Sequence, residues 1–297
     1  MPVHLRGIAA LLLVTLVWGT TFPAMKNMTG YLSASWIVLC RFALASVLLL
    51  PFLWGVRWRD LRWGILAGVV LFLCYVFQIE GLALTSSNRN AFICGLNVLV
   101  PPLLGVLLGA RLERRIVVAL CLSVAGLFAL CWEGSFSWGR GDTLALLCAL
   151  FFGVYIKLME SLTRKVDKLM ALTASQILTV AVCAALWLLM TELPQDVPAY
   201  AAYIRKGLEM YSLNLIYLGV IATAAIISLQ TWGQSHSSAN EAAVIYAFEP
   251  GCAAIFAYLW LGETLAWSGL LGAALLISGM IVSQWSTERP ATVLAPE

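Results

Sequence analysis

The chain is poor in charge. Only 11% of its 297 residues are Asp, Glu, Lys or Arg, against roughly 25% in soluble domains, so a soluble globular fold is excluded. The net charge of +3 is small and scattered, which speaks against a nucleic-acid partner. Histidine is nearly absent, with only His4 and His236. The eight cysteines form no CxxC pair and no Cys/His cluster. Neither a metal site nor a disulfide framework is expected, and the cysteines read as small buried apolar residues. There is no Walker A loop, HExxH, GxSxG or acidic cluster suited to catalytic magnesium, no TVGYG-like filter and no arginine array. These absences exclude an ATP-driven pump, the common hydrolases, a potassium channel and a voltage sensor. No enzyme activity and no cofactor are expected.

What the chain has is apolar length: 62% of the residues are hydrophobic. A bilayer core needs about 20 apolar residues in helix. Ten stretches qualify: 8–25, 34–56, 63–84, 91–110, 116–132, 143–162, 169–191, 213–233, 240–261 and 267–285. The first resembles a signal peptide, but no small-residue cleavage site follows, so it is read as an uncleaved span. Most connections are short. The longest, 192–210, carries Pro194, Pro198 and an amphipathic run suited to the membrane surface. Arginine and lysine cluster at Arg57, Arg59 and Arg62, at Arg111, Arg114 and Arg115, and at Arg164, Lys165 and Lys168. The positive-inside rule then places both termini in the cytoplasm. Trp54, Trp58, Trp63, Trp132, Trp138, Trp260, Trp267 and Trp285 fall at span ends as an interfacial belt. Residues 287–297 read as a disordered tail.

The sequence echoes itself. Residues 85–115 and 235–265 both pass from a serine-rich turn through a mid-span proline to an exit containing Gly and Glu, with Glu113 matching Glu263 at an offset of 150. Trp18-Gly19 is echoed by Phe152-Gly153. Two five-span halves follow, and because five is odd the second enters the membrane from the opposite side. The expected fold is an all-α integral membrane protein of ten transmembrane helices in two inverted five-helix repeats, 1–138 and 139–286.

Few polar groups interrupt the spans. Glu249-Pro250 lies in mid-span, where an acid costs ~2.5–3.5 kcal/mol on insertion scales. Glu249 has two readings: a proton, cation or substrate-amine site, or a neutral acid bonded to carbonyls freed by Pro250. In the first half, Asn97 and Val100 fall near where Phe248 and Glu249 lie, and no acid stands there. Arg41 could grip a substrate carboxylate, but pairing with Glu80 in the third span is the preferred reading. Lys157 and Glu160 read as an interfacial i, i+3 pair. Trp18, Tyr75, Gln78, Asn97, Tyr155, Tyr246 and Glu249 are the candidate substrate-binding residues. Arg41, Glu80, Pro101, Pro102 and Pro250 are candidates for structural or gating roles. Gly262, Gly269, Gly272 and Gly279 mark close helix contacts, with a dimer interface along the tenth span as one use.

WGTTFPAMK at 18–26, RFALASVLLLP at 41–51 and FEPGCAAIFAYLWLGETL at 248–265, on a five-plus-five layout, resemble the EamA-type branch of the drug/metabolite transporter superfamily. The double proline Pro101-Pro102 and the exit GARLERR depart from its pattern. The resemblance implies a ten-helix inner-membrane carrier that exports metabolites by alternating access, with YddG-type amino-acid exporters as the nearest likeness. It implies a small-molecule substrate, a lipid surround, no nucleic acid, and a monomer or weak homodimer. A multidrug or organic-cation exporter of the same fold is the alternative; a channel is disfavoured by the scarcity of polar groups, and an intramembrane enzyme by the lack of a recognisable nucleophile–base pair or metal ligand set.

Overall fold

The structure is a computed structural model and describes residues 3–109, 113–132, 136–192, 196–237 and 239–284. The expected tail, Pro194, Arg111 and Trp285 lie outside the described residues. Helices make up nearly all of it, and among the described residues no strand is present beyond one isolated bridge, Trp132 to Phe136. Among the described residues, eight segments are long and apolar enough to cross a membrane. In chain order the helices are α1 Val3–Met28, α2 Ala34–Leu49, α3 Trp58–Leu84, α4 Ser87–Cys94, α5 Val100–Leu107, α6 Arg114–Leu130 and α7 Arg140–Leu162. They continue as α8 Leu169–Thr191, α9 Val197–Met210, α10 Ser212–Ile216, α11 Ile226–Ser235, α12 Ala239–Tyr246, α13 Glu249–Leu261 and α14 Trp267–Gln284. The fifth and tenth expected spans, α6 and α14, are the short ones, at 17 and 18 residues. At 1.5 Å per residue they reach about 26 Å, slightly less than a bilayer core of about 30 Å. They pack on each other.

Three spans are broken in ways the sequence explains unequally. In the fourth, α4 passes through a 3-10 turn, Gly95–Leu99, into α5, whose first turn holds Pro101. In the ninth, α12 ends at Tyr246 and α13 restarts at Glu249 with Pro250 in its first turn. Proline is tolerated there because first-turn N–H groups have no intrahelical acceptor. The eighth span is α10 and α11 joined by a π-helical segment, Tyr217–Ala225, which contains no proline. The amphipathic α9 is capped by Asp196, which accepts from the Ala199 amide at 3.1 Å. It rests on the turn before α2, where Tyr203 stacks on Tyr31 at 4.4 Å and donates to its carbonyl.

The helix contacts obey an exchange of halves. α3 packs on α7 and α8, and the eighth span packs on α1 and α2. α7 runs along α4, the 3-10 turn and α5, as α1 runs along α12 and α13. α2 meets α8 and α6 meets α14. Each of these contacts maps onto another, or onto itself, when the halves are swapped. Glycines make it possible by letting backbones approach. A Cβ on Gly7 would sit 3.3 Å from the Gly233 carbonyl, and one on Gly141 3.1 Å from that of Gly81. A Cβ on Gly19 would sit 2.6 Å from Cys252 Cβ, and one on Gly153 2.2 Å from Val100 Cβ. Gly7 and Gly141, like Gly19 and Gly153, are 134 residues apart; Gly81 and Gly233, like Val100 and Cys252, are 152 apart.

The glycines of the tenth span are used inside the chain. A Cβ on Gly272 would meet Leu130 N at 2.5 Å and one on Gly279 the Ser123 hydroxyl at 2.7 Å, both on α6. They therefore lend nothing to a dimer interface; Gly262 instead closes α13 with φ of 66°. Gly153→Ala is expected to destabilise the protein by about 1–3 kcal/mol, as overpacking does. Gly105→Ala, which meets nothing within 4 Å, should be neutral or mildly stabilising. Thermal unfolding of the two variants in detergent checks this; equal melting temperatures would contradict the close α7–α5 approach.

Candidate functional site

The fourth and ninth spans cross at the centre, where a Cβ on Gly95 would lie 2.4 Å from Pro250 Cγ. Beside this crossing is a small cavity with about 10 Å³ of free space, enough for one water at most. Trp18 and Phe22 of α1, Gln78 of α3, Ala91 and Cys94 of α4, Gly95 and Asn97 of the 3-10 turn, Phe152 and Ile156 of α7, Gln230 of α11, Tyr246 of α12 and Glu249 of α13 line it.

Five mated pairs make up most of this lining. Trp18 and Phe152, and Phe22 and Ile156, are each 134 residues apart; Gln78 and Gln230, Cys94 and Tyr246, and Asn97 and Glu249 are each 152 apart. These are the two spacings that relate the packed glycines. The cavity therefore sits on the axis that exchanges the halves. The spacing also corrects the register of the fourth and ninth spans from 150 to 152, so the mate of Glu249 is Asn97, where an offset of 150 would give Leu99.

Aromatic rings form its walls. Trp18 lies 5.6 Å from Tyr246 and 6.2 Å from Phe152, centroid to centroid. Polar atoms of lining residues lack partners: Trp18 Nε1, Gln78 Oε1 and Asn97 Oδ1 are buried and, among the described residues, make no hydrogen bond. Such groups are normally satisfied by protein or water, so an unpaired set around one cavity marks a place for a polar ligand. Glu249, partly buried, has no hydrogen-bond or ion-pair partner among the described residues. It opens the first turn of α13, where the helix dipole favours negative charge.

Five of the seven residues expected at a substrate site thus line the cavity. Tyr75 and Tyr155 stand one layer back. Tyr75 packs edge-on against Phe152 at 5.8 Å, and Tyr155 donates to Gln176 Oε1 at 2.9 Å. Phe22, Ile156, Phe152, Cys94 and Gln230 were not among the candidates. The repeat of Trp18-Gly19 in Phe152-Gly153 was the signal that could have found Phe152. Gln230 carried no such signal, because its match to Gln78 shows only in the 152-residue register. Pro101, Pro102 and Pro250 stand just outside the lining, at the restarts of the broken spans.

The expected Arg41–Glu80 pair does not form. Arg41, 1% exposed, donates to the Thr223 hydroxyl, to the Ala222 carbonyl at 3.3 Å and to the Tyr75 hydroxyl at 3.4 Å. Its guanidinium lies 4.7 Å above the Tyr75 ring. The reason is the π-helical segment holding Ala222 and Thr223, whose widened turn frees a carbonyl to accept from outside. Glu80 faces Arg140 instead. The Lys157–Glu160 pair forms as expected, at 2.6 Å.

Further links join the halves at their ends. At one end Arg89 and Asp142 pair at 2.7 and 2.8 Å, and Glu263 accepts from the Ser87 and Asn88 amides at 3.0 Å each. Within the first half, Lys26 there donates to the Leu82 and Thr85 carbonyls at 2.8 and 2.7 Å. At the other end His4 meets Glu241 at 2.9 Å.

Apolar spans broken around a small buried cavity with polar lining on a repeat axis are the build of a membrane carrier. The EamA-like transporter family matches residues 5–132 and 139–284, and the chain belongs to that family. An uncharacterized transporter of Archaeoglobus fulgidus is 30% identical over 276 residues, covering 92% of this chain and 83% of its own. A probable terminal-alkyne amino-acid exporter of Streptantibioticus cattleyicolor is 25% identical, with 93% of both chains covered. A solved crystal structure, 18% identical, shares the fold with a TM-score of 0.63 over 92% of this chain and 94% of that one.

Removing the Arg41 side chain would leave buried acceptors and a π segment without their donor. Arg41→Ala is expected to destabilise by about 3–5 kcal/mol, the scale for breaking a buried charged network, whereas Glu80→Gln should change the melting temperature little. Thermal unfolding of both variants decides it; a loss with Glu80→Gln matching that of Arg41→Ala would restore the pair.

Proposed function

We propose that this protein is a secondary transporter that exports amino acids, aromatic ones among them, or similar small metabolites across the bacterial inner membrane. The carrier has two repeats, 1–138 and 139–286, inserted with opposite orientations, ten crossings and both termini in the cytoplasm. It works as a monomer or weak homodimer, without catalytic chemistry. Cargo sits in the central cavity, bounded by Trp18, Gln78, Asn97, Tyr246 and Glu249, with Tyr75 and Tyr155 supporting the aromatic wall. The half-helices that restart at Pro101-Pro102 and Pro250 tilt as one repeat rocks against the other, and the links at the two ends break in turn.

The observation that carries this reading is the placement of unpaired, buried polar atoms in a cavity on the exchange axis. A site there is reached equally from either side when symmetric halves trade conformations. The amino-acid part is supported by the name of the relative from Streptantibioticus cattleyicolor. An exporter of organic cations is the second reading, favoured by the carboxyl of Glu249 among aromatic rings.

Counterflow in proteoliposomes tests it. Vesicles loaded with an unlabelled amino acid should accumulate the labelled form saturably, and Trp18→Ala should lower the initial rate by about tenfold, the loss of roughly 1.4 kcal/mol of contact. Absence of counterflow for every protein amino acid would sink the amino-acid reading.

A further inference from the structure

The near-symmetry of the cavity makes its one departure in charge informative. Four of the five mated pairs match uncharged side chains with uncharged ones. The fifth sets the amide of Asn97 against the carboxyl of Glu249. Glu249 is the only acid in the lining, and no basic side chain lines the cavity. Arg41, a buried cation, packs on the Tyr75 ring with donors engaged by Thr223, Ala222 and Tyr75 itself. The other titratable groups around Glu249 are Tyr75 of α3, Tyr246 of α12, Cys94 of α4, Cys148 of α7 and Cys252 of its own helix. None of them supplies a positive charge. α1, packed along α13, faces the cavity with Trp18 and Phe22.

We propose that Glu249 is the seat of an ammonium group, and that the cargo is recognised by its amine while its carboxylate is dispensable. This rests on the central cavity being the cargo site. A carboxylate isolated in a low-dielectric core is strongly disfavoured, and a cation arriving with the cargo removes that penalty. The rings of Trp18 and Tyr246 beside it add cation–π attraction. A cargo carboxylate finds no cation here, only the neutral donors of Trp18, Gln78, Asn97 and Gln230. The class is therefore small organic amines: arylalkyl amines and amino-acid esters together with amino acids. Asn97, offering an amide where its mate offers a charge, gives a polar cargo one preferred orientation in an otherwise near-symmetric chamber.

The test is calorimetric titration of the purified full-length protein in lipid nanodiscs with four probes sharing one ring system. These are tryptamine, L-tryptophan methyl ester, L-tryptophan and indole-3-propionate. Tryptamine and the ester are expected to bind at least as tightly as L-tryptophan, and indole-3-propionate about ten- to a hundredfold more weakly. Glu249→Gln should erase that preference, and Glu249→Asp should keep part of it, which separates lost charge from lost fold. Indole-3-propionate binding as tightly as tryptamine, or a preference that survives in Glu249→Gln, overturns the amine assignment while leaving the transporter reading in place. Amine-selective binding that Trp18→Ala does not weaken places the amine elsewhere and overturns both the assignment and the cavity as cargo site.

Discussion

The fold depends on two membrane spans that break where they cross. Hydrocarbon supplies no hydrogen bonds, so an interrupted helix survives at that depth only if protein covers it. The interruption of the fourth span, Gly95–Leu99, lies along α7, and α12, which leads to the break in the ninth, lies along α1. Gly19 and Gly153 bring those covering helices within backbone distance. A larger residue at either would push the cover away and leave a broken backbone bare. The small cavity is a by-product of the same crossing, because two half-helices that restart beside each other leave side chains, rather than continuous backbone, to fill the middle.

Much of this was legible in the sequence, because bilayer physics writes strong signals. Apolar runs of membrane length gave the spans, the mid-span prolines gave the interruptions, and the isolated acid marked Glu249. Trp18-Gly19 and its echo Phe152-Gly153 disclosed the repeat. What stayed hidden was register. Apolar spans resemble one another by composition, so an offset of 150 looked as good as 152, and the pairing of Asn97 with Glu249 and of Gln78 with Gln230 could not be read. The direction of Arg41 was hidden for another reason. A π segment such as Tyr217–Ala225 needs no diagnostic residue, yet it created the acceptors that draw the guanidinium from Glu80. The glycines of the tenth span showed that α14 packs closely, but not that its partner is α6.

Symmetry in the lining has a functional consequence. If each half can adopt the other's conformation, residues on the exchange axis see both sides of the membrane while changing position least. Mated glutamines and mated aromatic groups would then leave the chamber indifferent to which side is open. The mismatch of Asn97 and Glu249 is then a choice made at one position of an otherwise balanced set, and it is a choice of charge. The end links carry the same combination of mated place and altered chemistry: Arg89 and Glu241 are 152 residues apart, and each joins its helix to the start of a helix from the other half, Arg89 through Asp142 and Glu241 through His4.

The central claim is that cargo occupies the exchange axis with its amine on Glu249. The most direct measurement is a dipolar-recoupling distance by solid-state NMR in lipid, between a ¹⁵N-labelled amine cargo and the ¹³C-labelled side-chain carboxyl carbons of glutamate. The account predicts a cargo nitrogen within about 4 Å of one carboxyl carbon, the separation of a contact ion pair, and loss of that signal in Glu249→Gln. A bound cargo whose nitrogen lies far from every glutamate carboxyl, or whose close contact persists in Glu249→Gln, would contradict it.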